Sequence, residues 1–362
     1  MATPQTDEAW KLFRKMLDDM AQMVDEDAEC DLERLEGMRV LGRVTTMALE
    51  LNLDVEADAP RLYSMDTPTR FVGGPNPDGE YFLSMIDATQ AYRVRGQRGS
   101  SVYLGFQILA GIGLNPRRMG TNVPDKELEI RPDGTFALVF AATKPSDAEL
   151  GGDPWVEIPD DSSALVVREY FADRSAETPA GLSIDRLEPA SVPALPQDGS
   201  IAERFASAAF TIAKMITLHR TVKPEMLDHP NEFLTADGEE LGSENTTPDN
   251  LYMIGSWRLA PDEALVLELS PPATRFWNVA IANVWHECIE PLRRRSSVTN
   301  AGAVARADGS VRVVMSATNP GAANWLDTGG RGRGFMVVRW LDNPSAPPVT
   351  TRVVPLEDAA DR

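Results

Sequence analysis

Histidine and cysteine are the scarcest chemistry-bearing residues of this 362-residue chain, which holds three of the first and two of the second. Cys30 and Cys288 have no CxxC spacing and are too few for a disulfide framework, so both read as thiols. His219, His229 and His286 stand apart, without HExxH or HxH spacing, and no DxDxDG calcium loop occurs. A three-histidine site assembled from distant segments is left open, and carboxylate sites for Ca²⁺ are harder to exclude in so acidic a chain. GxGxxG after a strand, GxxxxGK[ST] and GxSxG are all absent. The chain is therefore expected to use no cofactor and no metal. Positive charge is also short: 35 basic against 55 acidic residues leave a formal charge of −20, which repels nucleic-acid phosphates and anionic membrane surfaces. No run approaches the roughly 18 apolar residues of a membrane span. The start "MATPQTDEAWKLF" has no basic segment followed by an apolar core. A cytoplasmic location is expected.

What is present reads as two β-rich units behind a helical lead. In residues 1–60, Trp10, Phe13, Leu17, Met20 and Val24 recur at helical steps, with a break near Asp25 to Asp31 and a second helical run after it. Thr6, with Asp7 and Glu8, is expected to cap the first helix. Residues 65–175 carry short β-like runs divided by Gly, Pro and Asp turns. Residues 176–240 form a proline-rich linker and a bracing amphipathic helix, with Ile201, Phe205, Ala208, Ile212, Met215 and Ile216 on one side. Residues 245–350 return to β texture.

The two β stretches match. "LEIRPDGTFALVFAATKP" (128–145) and "AVARADGSVRVVMSATNP" (303–320) share seven of eighteen positions without a gap. Tyr81 falls on Tyr252, Trp155 near Trp325 and Arg168 on Arg339. Such a repeat implies two stacked copies of one β-sandwich. The Asp-Gly pairs at 133–134 and 308–309 predict tight turns.

The succession Asp308-Gly309-Ser310, Asn324-Trp325-Leu326 and a following "VVR" resembles the jelly-roll family known as domain of unknown function 1214. The resemblance extends over most of 75–345. It implies a two-sheet jelly-roll fold and no particular activity. The expected fold class is thus mainly β, with two tandem jelly-roll-like sandwiches, an N-terminal helical segment and an inter-domain helix. After the leucine, where the family carries a proline-rich segment, this chain has "DTGGRGRG", whose glycines make the loop mobile or let it approach a ligand closely.

Positions matching between copies are expected to make the fold, and unmatched ones to make a site. His286 and Glu287 have no counterpart in the first copy, which directs attention to "RFWNVAIANVWHEC". Read as one strand, it places Asn278, Ala280, Ala282 and His286 on one face, and Trp285 and Glu287 on the other. Small side chains on the first face leave room for a ligand. The alternative is a core histidine bonded to a backbone carbonyl beneath a helix. His286 is the expected acid or base and Glu287 its partner, with Asn278, Trp285, Arg293, Tyr252 and Arg93 binding substrate.

The function expected on this basis is cofactor-independent acid–base chemistry on a small apolar or aromatic molecule bearing a polar or anionic group. A lyase, including a retro-aldol lyase releasing a small aldehyde, is preferred to a hydrolase. The competing class is a non-catalytic jelly roll that binds a carbohydrate or small ligand. The partner expected is a small molecule, and self-association into a homo-oligomer is left open.

Overall fold

The computed structural model describes residues 4–111, 117–188, 195–236, 246–342, 345 and 347–361. Five α-helices are present among them: α1 (Gln5–Asp27), α2 (Asp31–Leu49), α3 (Asp147–Leu150), α4 (Asp198–Ile216) and α5 (Pro224–Asp228). The first helix is not capped by Thr6. Its opening N–H groups, from Gln5 and Thr6, donate to the Asp198 carboxylate at the start of α4, at 2.8 and 3.0 Å. One carboxylate thus satisfies two orphan donors of a neighbouring helix, which ties the two N-termini together. At the other ends of the same pair, Arg220 and His219 both reach Asp27.

Nine strands follow: β1 (Tyr63–Ser64), β2 (Gly79–Met85), β3 (Tyr92–Gln97), β4 (Tyr103–Ala110), β5 (Arg118–Pro124), β6 (Thr135–Ala141), β7 (Trp155–Glu157), β8 (Ser162–Tyr170) and β9 (Gly181–Arg186). Nine more follow α5: β10 (Leu234–Ala236), β11 (Asn250–Arg258), β12 (Glu263–Leu269), β13 (Trp277–Ala282), β14 (Ser297–Thr299), β15 (Val311–Ser316), β16 (Trp325–Asp327), β17 (Arg333–Leu341) and β18 (Val349–Pro355). The first set forms sheets ordered β1-β2-β8-β4-β5 and β7-β6-β3-β9, the second β10-β11-β17-β13-β14 and β16-β15-β12-β18. Adding nine to each strand number converts the first pattern into the second, so the repeat read from sequence extends to the whole topology. Its register agrees as well. Val139 opposes Trp155 across a parallel pair, as Val314 opposes Trp325. Gly134 and Gly309 turn at φ of 82° and 83°.

Each sandwich closes over its own core. Phe106, Ile108 and Val167 of one sheet meet Val94, Phe136, Leu138 and Ile184 of the other in the first copy. Trp257, Val279 and Trp340 meet Leu265, Leu267 and Val313 in the second. The burial of Ile184 places β9 inside the first sandwich, which therefore runs past 175 to Arg186; β10 and β18 likewise carry the second sandwich beyond 245–350 at both ends.

The outer faces of the two five-stranded sheets turn toward each other. One end of the first such face, with Leu83, Leu109, Ala164 and Val166, is covered by α1, α2 and α4. The linker helix thus joins a three-helix layer. The other end meets the second sandwich, where Tyr170 stacks between Tyr103 and Phe276 at 5.1 and 5.4 Å. Two equivalent arms cross this junction, residues 73–78 onto the second sandwich and residues 246–249 onto the first. In both, the tyrosine hydroxyl accepts the N–H five residues earlier, Asn76 to Tyr81 at 3.1 Å and Thr247 to Tyr252 at 2.9 Å.

Candidate functional site between the sandwiches

The stretch from Trp277 to Cys288 is not one strand. Strand β13 stops at Ala282, the chain reverses, and Cys288 bridges back to Ala282. His286 sits in the turn at φ 55°, and its N–H donates to Asn283 O. The alternation that placed His286 beside Asn278 and Trp285 beside Trp277 ends at this reversal. The polar carboxamide of Asn283 makes the reversal stable, accepting from the N–H groups of both Trp285 and Glu287.

The predicted residues fall into four places. His286 is stacked flat on Phe335 at 3.9 Å, and burial pushes its pKa down to about 3. Glu287 is 1% exposed and receives Arg39 and Arg43 of α2, the Arg39 bond measuring 2.7 Å. Trp285 is 2% exposed and donates to Glu33 O of the same helix at 2.8 Å. These three side chains therefore meet the helical layer and the arm. Arg293 is exposed, on the outer side of the next turn. Arg93 binds Asp153 at 2.9 Å and the Leu150 carbonyl at the end of α3 at 2.8 Å. Only Asn278 and Tyr252 share a surface, lying in the same cross-strand row on either side of Arg339. The space over Ala280 and Ala282 is crossed by the 73–78 arm: Gly74 N–H donates to His286 O, and Asn278 donates to Asn76 and Asp78. The glycine loop is pinned rather than free, because Arg331 pairs with buried Glu36 and Arg333 with Glu33.

The low pKa of His286 has a measurable consequence. The unfolded chain takes up a proton near the ordinary histidine value of 6.5, and the folded chain refuses it down to about 3. Stability present above pH 6.5 is thus lost as pH falls from 6.5 toward 3, by about 2 kcal/mol between pH 7 and pH 5. Urea unfolding at the two pH values should show that increment shrinking in His286→Gln; an undiminished increment would mean the ring is already charged in the fold.

At the edge of the junction lies a cleft of about 270 Å³, lined by Asp78, residues 171–174, Arg295, residues 297–299, Ala301 and Gly302. Asp78 forms its floor. One carboxylate oxygen accepts from Asn278 at 2.7 Å and the other from Ser297 at 3.0 Å. Burial raises the Asp78 pKa, with these hydrogen bonds and Arg174 and Arg339 pulling it back. Arg174 lies over the Phe171 ring at 4.7 Å, bound to Glu80 at 3.0 Å and to the Gly79 carbonyl at 2.6 Å. Arg295 spans the opposite wall, donating to the carbonyls of Ala323 at 2.6 Å and Gly302 at 3.2 Å. No carboxylate is paired with it among the described residues, and burial lowers its pKa.

The repeat supplies an internal comparison. Asp78 O accepts the Phe171 N–H just as Asp249 O accepts the Asp342 N–H, so the two aspartates are equivalent. Around Asp249 there are Lys126 at 3.2 Å and the Tyr103 hydroxyl at 3.0 Å, while Arg275 joins Asp342 to Asp125. Every charge there has an opposite partner. At Asp78 the positions that match Lys126, Tyr103 and Arg275 are Ala301, Phe276 and Val102, and the space stays open.

Asp78 was passed over in sequence because it lies in the "PDGEY" match to "PDNLY", where identity argues for a structural role. Arg295 was hidden among three consecutive arginines. The signal that separates them from the rest is the exchange of Lys126 for Ala301 and of Arg275 for Val102, legible only once the register is known.

The fold and this cleft define a tandem-sandwich protein with one open and one closed inter-sandwich edge. The model of DUF1214, a family of proteins of unknown function, matches residues 258–345, within the second sandwich. An uncharacterized protein from Burkholderia cenocepacia has a solved structure that is 32% identical, with 97% of each chain covered and a TM-score of 0.90. The VPA0106 protein from Vibrio parahaemolyticus is 14% identical over 87% of this chain and 98% of its own, with a TM-score of 0.48. None of the curated proteins matches this chain.

Proposed function

We propose that the chain binds a small organic anion in the cleft between the sandwiches. The observation that carries this reading is Arg295, a guanidinium facing the cleft with carbonyl partners and no carboxylate partner among the described residues. A carboxylate or phosphate would complete it through paired charge-assisted hydrogen bonds. At about 270 Å³ the cleft is below the size of drug-like pockets, which start near 300 Å³, and suits a molecule of one ring or less.

Asp78 favours a second step on the same ligand. A carboxyl whose pKa is raised by burial can stay protonated beside a bound anion and act as a general acid. This fits the acid–base class, a lyase or hydrolase, with Asp78 rather than His286 carrying the proton. A carbohydrate-binding reading has less support: Trp257, Trp277, Trp285 and Trp340 are all buried, which leaves the second sandwich without their rings as an open stacking platform.

Thermal unfolding in the presence of benzoate, acetate and inorganic phosphate tests the binding step. A ligand at 100 times its Kd adds about 2.7 kcal/mol to the folded state. Arg295→Gln is expected to abolish that stabilisation while leaving the ligand-free stability within about 0.5 kcal/mol, as an exposed side chain should. Equal stabilisation of parent and variant by every anion would overturn the proposal.

A further inference from the structure

Asp78 lines the cleft, partly exposed to it, as a carboxyl without a cation. Its two oxygens accept from Asn278 and from Ser297, and each keeps a lone pair free among the described residues. The arginines that act on it do so from beyond ion-pair distance, since Arg174 is engaged by Glu80 and the Gly79 carbonyl, and Arg339 by the Gly74 carbonyl. Arg295 is the complementary case on the same cleft, a guanidinium held by carbonyls alone. The other charged side chains of the lining are accounted for, Arg174 by Glu80 and Asp173 by the N–H and hydroxyl of Ser175. The cleft thus presents one uncompensated charge of each sign.

The repeat shows what completes such an aspartate. Asp249, the equivalent of Asp78, has the Lys126 ammonium at 3.2 Å and the Tyr103 hydroxyl at 3.0 Å. Strand register puts Ala301 at the Lys126 position, Phe276 at the Tyr103 position and Asn300 at the Asp125 position, while Phe171 takes the place of Asp342. Of this set the aspartate keeps its charge, and its lysine is trimmed to a methyl group. The space that a lysine stem and ammonium fill at the closed edge therefore belongs to the cleft, whose lining includes Ala301. A carboxylate withdrawn from bulk water is stabilised by a cation within hydrogen-bond reach, and here the chain supplies none of its own.

We infer that the ligand of the cleft is a small zwitterion, its acid group on Arg295 and a primary ammonium on Asp78 in the place that Lys126 takes in the other half. This rests on the anion-binding reading of the cleft and narrows it to one chemical class, the amino acids in the broad sense. Toward such a ligand Asp78 is an ion-pair partner, and the acid step applies to ligands without an ammonium.

Calorimetric titration of the purified chain near neutral pH with acetate, propionate and butanoate against glycine, 3-aminopropanoate and 4-aminobutanoate tests the ammonium subsite. At least one amino acid should bind about tenfold or more tighter than its deamino analogue, which is the worth of one hydrogen bond between charged groups. Asp78→Asn should bring that ratio toward one. Ala301→Lys transplants the lysine of the closed edge: it should raise the ligand-free unfolding midpoint, lose that gain in an Asp78→Asn background, and also bring the ratio toward one. Position 301 is exposed, so this variant keeps the ratio measurable should Asp78→Asn not fold. Equal affinity of acid and amino acid, with binding of both lost in Arg295→Gln, would sink the ammonium subsite and leave the anion site standing. A preference for the amino acid that survives both Asp78→Asn and Ala301→Lys would put the ammonium elsewhere and sink it as well. Absence of binding by every acid would overturn both readings.

Discussion

Replacing Trp285 by alanine is expected to destabilise the chain by about 3–5 kcal/mol, the range for truncating a fully buried tryptophan. Trp285 is 2% exposed and belongs to the cluster that joins α1, α2 and α4 to the first sandwich, although it is carried by the second. Its fit depends on an absent side chain: a Cβ on Gly37 would lie 2.7 Å from the indole and 2.5 Å from Val24. The indole N–H donates to Glu33 O, and His219 meets the ring edge-on at 4.8 Å. Losing the ring removes apolar burial, opens a cavity and takes a second hydrogen bond from the Glu33 carbonyl. Urea unfolding followed by tryptophan-independent circular dichroism measures the loss. Gly37→Ala alone should also destabilise, and its cost should fall in a Trp285→Leu background, where space has been made. Additive effects would separate the two residues and count against this packing.

Glu287→Ala should cost about 2–4 kcal/mol, with Glu287→Gln between it and the parent. The carboxylate is 1% exposed and is shared by Arg39 and Arg43, whose side chains retain 36% and 29% exposure. Removing one partner of a buried pair typically costs about 3–5 kcal/mol, because a desolvated charge is left behind; the half-exposed arginines recover part of their hydration, which lowers the figure. The loss should vary little between 0.05 and 0.5 M salt, since the carboxylate itself is beyond the reach of mobile ions. A cost below about 0.5 kcal/mol in urea titrations would mean that α2 is held without the Glu287 pair, by its apolar face and by Arg331 and Arg333.

These two residues illustrate how the chain could be read. His286 and Glu287 stand out in the sequence because the first copy has no counterpart to them. In the structure they lie against the helical layer: α2 docks its Glu33, Glu36, Arg39 and Arg43 on this loop and on Arg331 and Arg333. An unmatched position therefore marked an interface as readily as a site. Conversely, Asp78 matches Asp249 within the repeat, yet their surroundings differ. Identity of one residue across a repeat says nothing about the neighbours that three-dimensional register brings to it.

The amino-acid sequence by itself determined the mainly β class, the two-copy order, the Asp-Gly turns and the helices at the start and in the linker. All of these depend on local periodicity, turn chemistry and internal identity, which are properties of contiguous residues. The tertiary structure alone decided that α1 is capped by Asp198 from almost two hundred residues away, and that one inter-sandwich edge is closed by Lys126 and Arg275 while the other is open at Asp78 and Arg295. Those outcomes rest on pairings between charges distant in the chain, and a sequence containing 55 acidic and 35 basic residues permits far too many such pairings for composition or spacing to choose among them.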